Sequence, residues 1–391
     1  MALEAYLARR EDGLTVIAGY PWFLDWGRDT LIACRGLLAA GWSEDAGLIL
    51  RTFAALEREG TLPNMQGTDS TADRDPSDAP LWLAVACEEA VAHLGPEFLQ
   101  ADAGGRTVEE VLTSLGEHLR LGAPNGVCMD LASGLLWSPA HFTWMDTRYP
   151  MGTPREGYPV EIQALWIRLL RFLDRMGAPS DGEPWATTAA RAETSLEAFW
   201  MEDRGWFADV LLAPAGTPAA QAEVCDHLRP NQLLLVALDL VTGDQARRAV
   251  AACARHLLVP GGLRSLAPLP VTSALPIPAP WGGTLNEPLS PYWGRYEGDE
   301  DTRRKPAYHN GTAWVWPLPL LCEALDRAWE GDPDARATAR AWLGSTAALL
   351  DSGCVGQLPE ILDGDAPHEA RGCDAQAWSV SETLRVWLAL G

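Results

Sequence analysis

The segment that decides the fold is Gly19-Tyr-Pro-Trp-Phe-Leu-Asp-Trp-Gly-Arg-Asp29, and an apolar run with helical spacing follows it at 31–38. Two tryptophans, an arginine and an aspartate thus lie on a turn at the entrance of a helix. One interpretation is structural, with Asp29 near the helix N-terminus and Arg28 paired locally. The other is a sugar-binding rim, in which Trp26 stacks on a ring while Arg28 and Asp29 bind vicinal hydroxyls.

Most of the remaining chain shows the same helical spacing of apolar residues, with Ala, Leu, Glu and Arg enriched. No run of alternating β-branched residues between these segments predicts a strand. Eleven helices are predicted, at 31–38, 46–56, 81–94, 108–121, 161–176, 189–199, 232–240, 245–258, 312–329, 335–350 and 375–390.

The predicted helices are separated by long connectors at 60–79, 122–160, 201–231, 259–311 and 351–374. Connectors of this length in a compact domain are functional or indicate a wrong assignment. Nearly all the Trp-Asp, Glu-Ile and His-Asn clusters lie in them, which favours function. We therefore predict an all-α toroid in one domain, 1–391, with an inner ring, an outer ring and a cleft at one end.

The formal net charge of −23 opposes binding to nucleic acid or to an anionic membrane surface, and it is compatible with a neutral substrate such as a sugar. No stretch approaches the roughly 18 apolar residues of a membrane span. The charged start, MALEAYLARREDGL, does not resemble a signal peptide, so we expect a cytoplasmic protein.

Cysteine and histidine are spaced irregularly along the chain. The eight cysteines form no C-x-x-C pair and are typical of buried, reduced thiols. The seven histidines form no H-E-x-x-H motif, so we expect neither a metal site nor a cofactor.

Two further clusters combine carboxylates with aromatic residues. In Pro76-Ser-Asp-Ala-Pro-Leu-Trp82, Asp78 and Trp82 would share a helix face, although Asp78 alone is also an ordinary helix cap. In His141-Phe-Thr-Trp-Met-Asp146 and the following Pro159-Val-Glu-Ile-Gln-Ala-Leu-Trp166, apolar surroundings would raise the pKa of Asp146 and Glu161, as a general acid requires. The alternatives are a turn-capping Asp146 and a first-turn Glu161.

The C-terminal third adds two more clusters. In Tyr308-His-Asn-Gly-Thr-Ala-Trp-Val-Trp316, His309 and Asn310 are able to hydrogen-bond a sugar, and the alternative is a structural histidine before a helix. Gly356-Gln-Leu-Pro-Glu360-Ile precedes Ala375-Gln-Ala-Trp378. By itself, Glu360 is an ordinary loop glutamate.

Taken together and in order, these blocks resemble the amylo-α-1,6-glucosidase family of glycogen debranching enzymes. The resemblance rests on PWFxxWGRD, TWMD, PVEIQALW, RPNQ (229–232), YHNGT and a PEI block followed by AQAW, and it runs from about residue 15 to the end. It implies an (α/α)6 barrel whose long loops form the active-site face. It also implies inverting hydrolysis of the single glucose left at an α-1,6 branch of glycogen or limit dextrin, or of a maltooligosaccharide.

The resemblance also implies residue roles. Asp146 corresponds to the family's catalytic acid and Glu360 to its base. The expected substrate-binding residues are Trp26, Arg28, Asp29, Asp78, Trp82, Trp144, Glu161, His309, Asn310, Gln376 and Trp378.

Two features depart from the family pattern. Relatives carry a β-rich or a transferase domain before the barrel, whereas this chain starts almost at its first motif; we therefore expect a fragment of a longer enzyme or a module that depends on a separate N-terminal or glucan-binding partner. The segment 67–75 is also unusually polar, and we expect it to reshape the outer sugar-binding subsites and thereby the preferred chain length. The alternatives are a glucoamylase-like or trehalase-like glycosidase on the same barrel and a non-catalytic glycan-binding module.

Overall fold

The computed structural model describes residues 2–10, 13–65, 73–148 and 153–391. Within these ranges the chain is mostly helical. Its α-helices are α1 Gly27–Ala39, α2 Ser43–Ala55, α3 Ala79–Leu94, α4 Val108–Leu121, α5 Val160–Met176, α6 Trp185–Ser195, α7 Leu233–Ala237, α8 Gly243–His256, α9 Lys305–Tyr308, α10 Pro317–Ala328, α11 Pro333–Gly344 and α12 Ala377–Ala389.

Each of the eleven predicted helical runs overlaps one of these helices. The boundaries differ by a few residues at several ends; α6, for example, begins directly after Pro184, four residues before the predicted start. The run 232–240 gives only the short α7, and 335–350 ends as α11 and then a 3-10 turn, Ser345–Leu349. The four-residue α9 lies inside a predicted connector and was not predicted.

Six helices form a closed cycle of neighbours. α1 packs on α3, α3 on α5, α5 on α7, α7 on α10, α10 on α12, and α12 again on α1. Nearly every residue of α1 is buried, as expected for an inner helix, whereas α8 buries a single stripe. The helices α2, α4, α6, α8 and α11 pack against members of this cycle. The exact (α/α)6 count stays a prediction, since a sixth outer α-helix is not among the described residues.

The expectation that no strands occur was wrong. The strands are β1 Leu7–Arg10, β2 Gly13–Val16, β3 Gly19–Tyr20, β4 Cys128–Met129, β5 Leu136–Trp137, β6 Gly157–Pro159, β7 Trp200–Met201, β8 Trp206–Phe207, β9 Val210–Leu212, β10 Glu223–Cys225, β11 Leu258–Val259, β12 Gly262–Arg264, β13 Ala313–Trp314, β14 Ile361–Leu362, β15 Ala370–Arg371 and β16 Ala375–Gln376. Each has two to four residues, which is too short for an alternating pattern to be visible in the sequence.

Two antiparallel pairings bring distant motifs together. Strand β3 pairs with β16, so that Gly19 lies opposite Gln376. Strand β13 pairs with β14 inside the antiparallel sheet β11-β12-β13-β14-β15, so that Trp314 lies opposite Ile361. The segments before α1, α10 and α12 are therefore held side by side at one end of the helices.

Two predictions from the sequence concern the state of the cysteines and the lack of a membrane span. All eight cysteines are free thiols; six are buried, Cys128 is half-buried, and the exposed Cys354 departs from the expectation of burial. Among the described residues, no helix combines the length and the apolar character needed to cross a membrane.

Candidate active site

A pocket opens where the segments preceding α1, α5, α10 and α12 meet. Its volume is about 170 Å³, smaller than the roughly 300–1,000 Å³ of sites for drug-sized ligands. That size suits one terminal sugar unit better than a chain. The lining residues are Phe23, Trp26, Arg28, Asp29, Trp144, Asp146, Tyr308, His309, Trp314, Glu360, Gln376 and Trp378.

Glu360 lies on the segment just before β14 and is only 2% exposed. The hydroxyl of Tyr308 donates to its Oε1, and the backbone N–H of Cys373 donates to its Oε2 at 2.8 Å. Burial raises the pKa of Glu360 to about 7, while these two hydrogen bonds oppose the rise because they stabilise the carboxylate. The result is a fixed carboxylate that titrates near neutrality.

Asp146 lies in the connector before α5, and its side chain is 39% exposed toward the pocket. Burial of the carboxyl among protein atoms raises its pKa. The guanidinium of Arg28 acts in the opposite direction, with its Nη1 3.4 Å from Oδ2 of Asp146. Arg28 is itself held by Asp78, whose Oδ2 accepts from Nε at 2.7 Å, and by the carbonyl of Thr143.

A third carboxyl, Asp29, lies in the first turn of α1 and also lines the pocket. Burial raises its pKa to about 7. Its Oδ1 accepts from Nε2 of Gln376 at 3.2 Å, a contact that depends on the β3–β16 pairing. Asp29 is thus both a first-turn residue of α1 and a pocket residue, and its binding of sugar hydroxyls stays a prediction.

The aromatic wall of the pocket is built around Trp144. Its Nε1 donates to Oδ1 of Asn231 at 2.7 Å, which fixes the indole. Four rings meet it edge-on with centroids 5.1 to 6.5 Å away, namely His309, Trp314, Trp316 and Trp378. Such a wall offers rigid apolar faces to the C–H face of a pyranose ring.

Several buried polar atoms in the lining residues have no hydrogen-bond partner among the described residues, although Nε2 of His309 lies 4.0 Å from Oδ1 of Asp146. They are Nδ1 and Nε2 of His309, Oε1 of Gln376 and Nε1 of Trp378. His309 stacks on Trp314, and burial lowers its pKa well below the usual range, which favours the neutral ring. Buried polar groups normally find partners. These donors and acceptors are therefore available to the hydroxyls of a bound sugar.

Asp78 and Trp82 do not line the pocket, which corrects their expected place. Helix α3 begins at Ala79, directly after Asp78, and Trp82 lies in its first turn. The Asp78 side chain does not cap the helix and instead binds Arg28. Trp82 is buried and lies under the guanidinium of Arg35, 5.5 Å from the ring centroid.

Glu161 and Asn310 are corrected in the same way. Both carboxylate oxygens of Glu161 accept from Arg155, which also binds Asp209. Oδ1 of Asn310 accepts from Arg229 at 2.9 Å, and its amide donates to the carbonyl of Pro306. The hydrogen bonds of Glu161 and Asn310 are made within the protein. These side chains therefore hold neighbouring segments in place and do not face the pocket.

Three lining residues were absent from the expected set: Phe23, Tyr308 and Trp314. All three lie inside blocks that the sequence singled out, so membership of an aromatic-rich motif was the signal available. The RPNQ block serves as scaffold, since Arg229 holds the 309–310 segment and Asn231 holds Trp144. Of the polar segment 67–75, positions 67–72 lie outside the described residues.

Comparison with solved structures establishes the class of fold. A glycosidase variant solved in complex with glucose superposes with a TM-score of 0.61 at 16% identity, covering 96% of this chain and 92% of that one. The GH63 mannosylglycerate hydrolase from Thermus thermophilus, solved with Tris, gives 0.61 at 14% identity and 98% of both chains. The fold is thus that of glycosidases of the helical toroid type.

The family comparison identifies the chain as a glycoside hydrolase. More narrowly, the chain belongs to the amylo-alpha-1,6-glucosidase family, whose model matches residues 1–272 and 277–385. A more distant relative is the periplasmic trehalase of Escherichia coli O8 (strain IAI1), 26% identical over 134 residues. That match spans 31% of this chain and 22% of the trehalase.

Proposed function

We propose that this chain releases single glucose units from α-1,6 branch points of glycogen or limit dextrin with inversion at the anomeric carbon. The observation that carries the proposal is that Asp146 and Glu360, which are 214 positions apart, line one aromatic-walled pocket. Family membership supports the linkage, since the matching family is described by that activity.

In the proposed reaction, Asp146 donates its proton to the glycosidic oxygen as the C1–O bond breaks. Glu360 accepts a proton from a water whose oxygen bonds to C1 from the opposite face. The products are glucose of inverted configuration and a glucan with a free hydroxyl, and one water is consumed. Inverting enzymes separate the two carboxyl groups by roughly 6.5–9.5 Å to admit that water.

The electrostatics support these roles. Burial raises the pKa of Asp146, which favours the protonated form that an acid needs. Glu360 has a pKa of about 7 and accepts two hydrogen bonds, which favours a base that is ionised above neutrality. Asp29 adds a third carboxyl to a pocket that must stabilise a cationic transition state.

The remaining pocket residues are assigned to sugar binding. Trp26, Trp144 and Trp378 provide apolar faces, while Arg28, Asp29, His309 and Gln376 provide polar atoms. Asp78, Trp82, Glu161 and Asn310 position this inner layer. We further propose that the chain acts as one catalytic domain, in the cytoplasm, and without a metal or cofactor in the reaction.

A trehalase-like or GH63-like specificity is the second candidate. It is favoured by the match to a periplasmic trehalase and by the superposition on a mannosylglycerate hydrolase. Both candidates would use the same two carboxyls. A trehalase-like enzyme would differ in the leaving group, and a mannosylglycerate hydrolase would differ in the released sugar as well.

The test is a comparison of substrates at equal concentration. A 6-O-α-glucosyl maltooligosaccharide, linear maltooligosaccharides, trehalose and mannosylglycerate are incubated with the enzyme, and released monosaccharide is quantified. The proposal expects the branched substrate to have the highest kcat/KM. Faster cleavage of trehalose or mannosylglycerate would assign the chain to the second candidate, and faster cleavage of linear chains to a glucoamylase-like specificity.

A further inference from the structure

Exposed apolar side chains are concentrated beside the pocket, in the segment 20–24. Tyr20, Trp22 and Leu24 are 39%, 58% and 51% exposed, and the residue between the last two, Phe23, lines the pocket. We call Tyr20, Trp22 and Leu24 the rim patch. No other five-residue stretch of the described residues exposes three large hydrophobic side chains.

The rim patch is held rigidly. The backbone N–H of Phe23 donates to the carbonyl of Gly19 at 3.0 Å, and that of Ala18 donates to the carbonyl of Leu24 at 2.8 Å. Strand β3 pairs with β16, and the Tyr20 hydroxyl donates to the carbonyl of Ala5. The exposure of Trp22 is thus imposed by an ordered turn.

Trp22 is the member of the patch with a direct link to the pocket. Its ring meets Phe23 edge-on with centroids 6.3 Å apart. The pocket has room for about one sugar unit, so the unit that follows the reacting glucose must leave through the mouth. An exposed indole at that place offers a flat apolar face to a pyranose ring.

We propose that Trp22 is the platform for the leaving-group sugar and thereby makes the enzyme selective for oligosaccharides over small leaving groups. This inference rests on the proposed function and extends it from the reacting glucose to its neighbour. A platform outside the pocket contributes only when a second sugar is present, so its effect depends on the substrate.

The experiment compares Trp22→Ala with the wild type on two substrates. One is a 6-O-α-glucosyl maltooligosaccharide, which has a leaving-group sugar; the other is α-glucosyl fluoride, which has none. The variant is expected to lose about ten- to a hundredfold in kcat/KM on the oligosaccharide, the range for tryptophans that a bound partner covers. On the fluoride it should stay within about twofold of the wild type. Trp22→Phe should retain part of the selectivity.

The matched control is Trp387→Ala. This tryptophan is 41% exposed on α12, ten residues beyond the start of that helix and thus about 15 Å from the pocket end. It should leave both rates unchanged. Equal losses on both substrates, or none on either, for Trp22→Ala would overturn the platform. A wild-type enzyme inactive on both substrates would instead contradict the proposed function.

Discussion

The two carboxyls proposed as catalytic, Asp146 and Glu360, differ in their surroundings, and single substitutions test the role of each. Asp146→Asn and Glu360→Gln each remove one titratable group with almost no change in volume. Each should lower kcat by a factor of about 10²–10⁴ while glucose still binds. Steady-state kinetics and glucose titration measure the two effects.

Asp239→Asn is the matched control for these variants. Asp239 forms an exposed ion pair with Arg327 and does not line the pocket. Its backbone φ of 57° is one that asparagine tolerates, so the variant should fold and turn over normally. Near-normal turnover of either Asp146→Asn or Glu360→Gln would show that the role is assigned to the wrong residue.

A second residue-level prediction concerns pH. Glu360 must be ionised to act as a base, so activity should rise as pH increases through its pKa of about 7. The Tyr308 hydroxyl stabilises the ionised form, and Tyr308→Phe should therefore raise this pKa. The acidic limb of the kcat/KM profile should move to higher pH by roughly one unit.

The control for the pH prediction is Tyr296→Phe. Tyr296 packs beside Tyr308 with ring centroids 5.5 Å apart, and no hydrogen bond joins its hydroxyl to Glu360 among the described contacts. The acidic limb of the kcat/KM profile of Tyr296→Phe should stay where it is in the wild type. A limb that moves to lower pH in Tyr308→Phe, or that moves equally in both variants, would contradict the role given to Tyr308.

The sequence named residues that the structure brings to one pocket, but it did not separate those that line the pocket from those that hold the lining residues in place. Arg28 and Asp29 are adjacent in one motif, and both line the pocket. Asp78 and Glu161 lie in equally convincing motifs, yet their carboxylates bind Arg28 and Arg155. The composition of a motif does not reveal which buried arginine will lie nearby, because that partner comes from a distant segment of the chain.

At the level of elements, a single substitution tests the close packing of α1 against α12. A Cβ added at Gly36 would lie 2.5 Å from the Cβ and 2.6 Å from the carbonyl oxygen of Ser381. Gly36→Ala should therefore push two inner helices apart and lower the free energy of unfolding by about 1–3 kcal/mol, the usual result of overpacking. Thermal or denaturant unfolding measures the loss.

Gly344→Ala provides the control, because a Cβ there meets nothing within 4 Å at the end of α11. It should be neutral or stabilise the protein by up to about 1 kcal/mol. A Gly36→Ala variant as stable as the wild type would show that α1 and α12 do not pack in this way.

Helices and strands differed in how far the sequence revealed them. Helical periodicity extends over more than ten residues in α5 and is readable without tertiary information. Strands such as β13 and β16 have two residues each and exist only because a partner strand lies beside them. Gln376 nevertheless lies in β16, and Glu360 directly precedes β14, the partner of β13. The strands, which are the hardest elements to predict, therefore position two residues of the pocket.

For the molecule as a whole, the negative net charge and the three carboxyls that line the pocket both favour a neutral substrate over an anionic one. A net charge of −23 repels anions, and the three pocket carboxyls favour positive charge developing on a sugar ring. An inner cycle of six helices supports this pocket at one end. Linkage and stereochemistry follow from how the leaving group and the water are placed around the reacting carbon.

The most direct test is the anomeric form of the first glucose released from a 6-O-α-glucosyl maltooligosaccharide, followed by proton NMR before mutarotation. If Asp146 acts as acid and Glu360 as base on opposite faces of the ring, the initial product is β-glucose. Initial α-glucose would contradict this account, because it requires a covalent intermediate or attack from the same face.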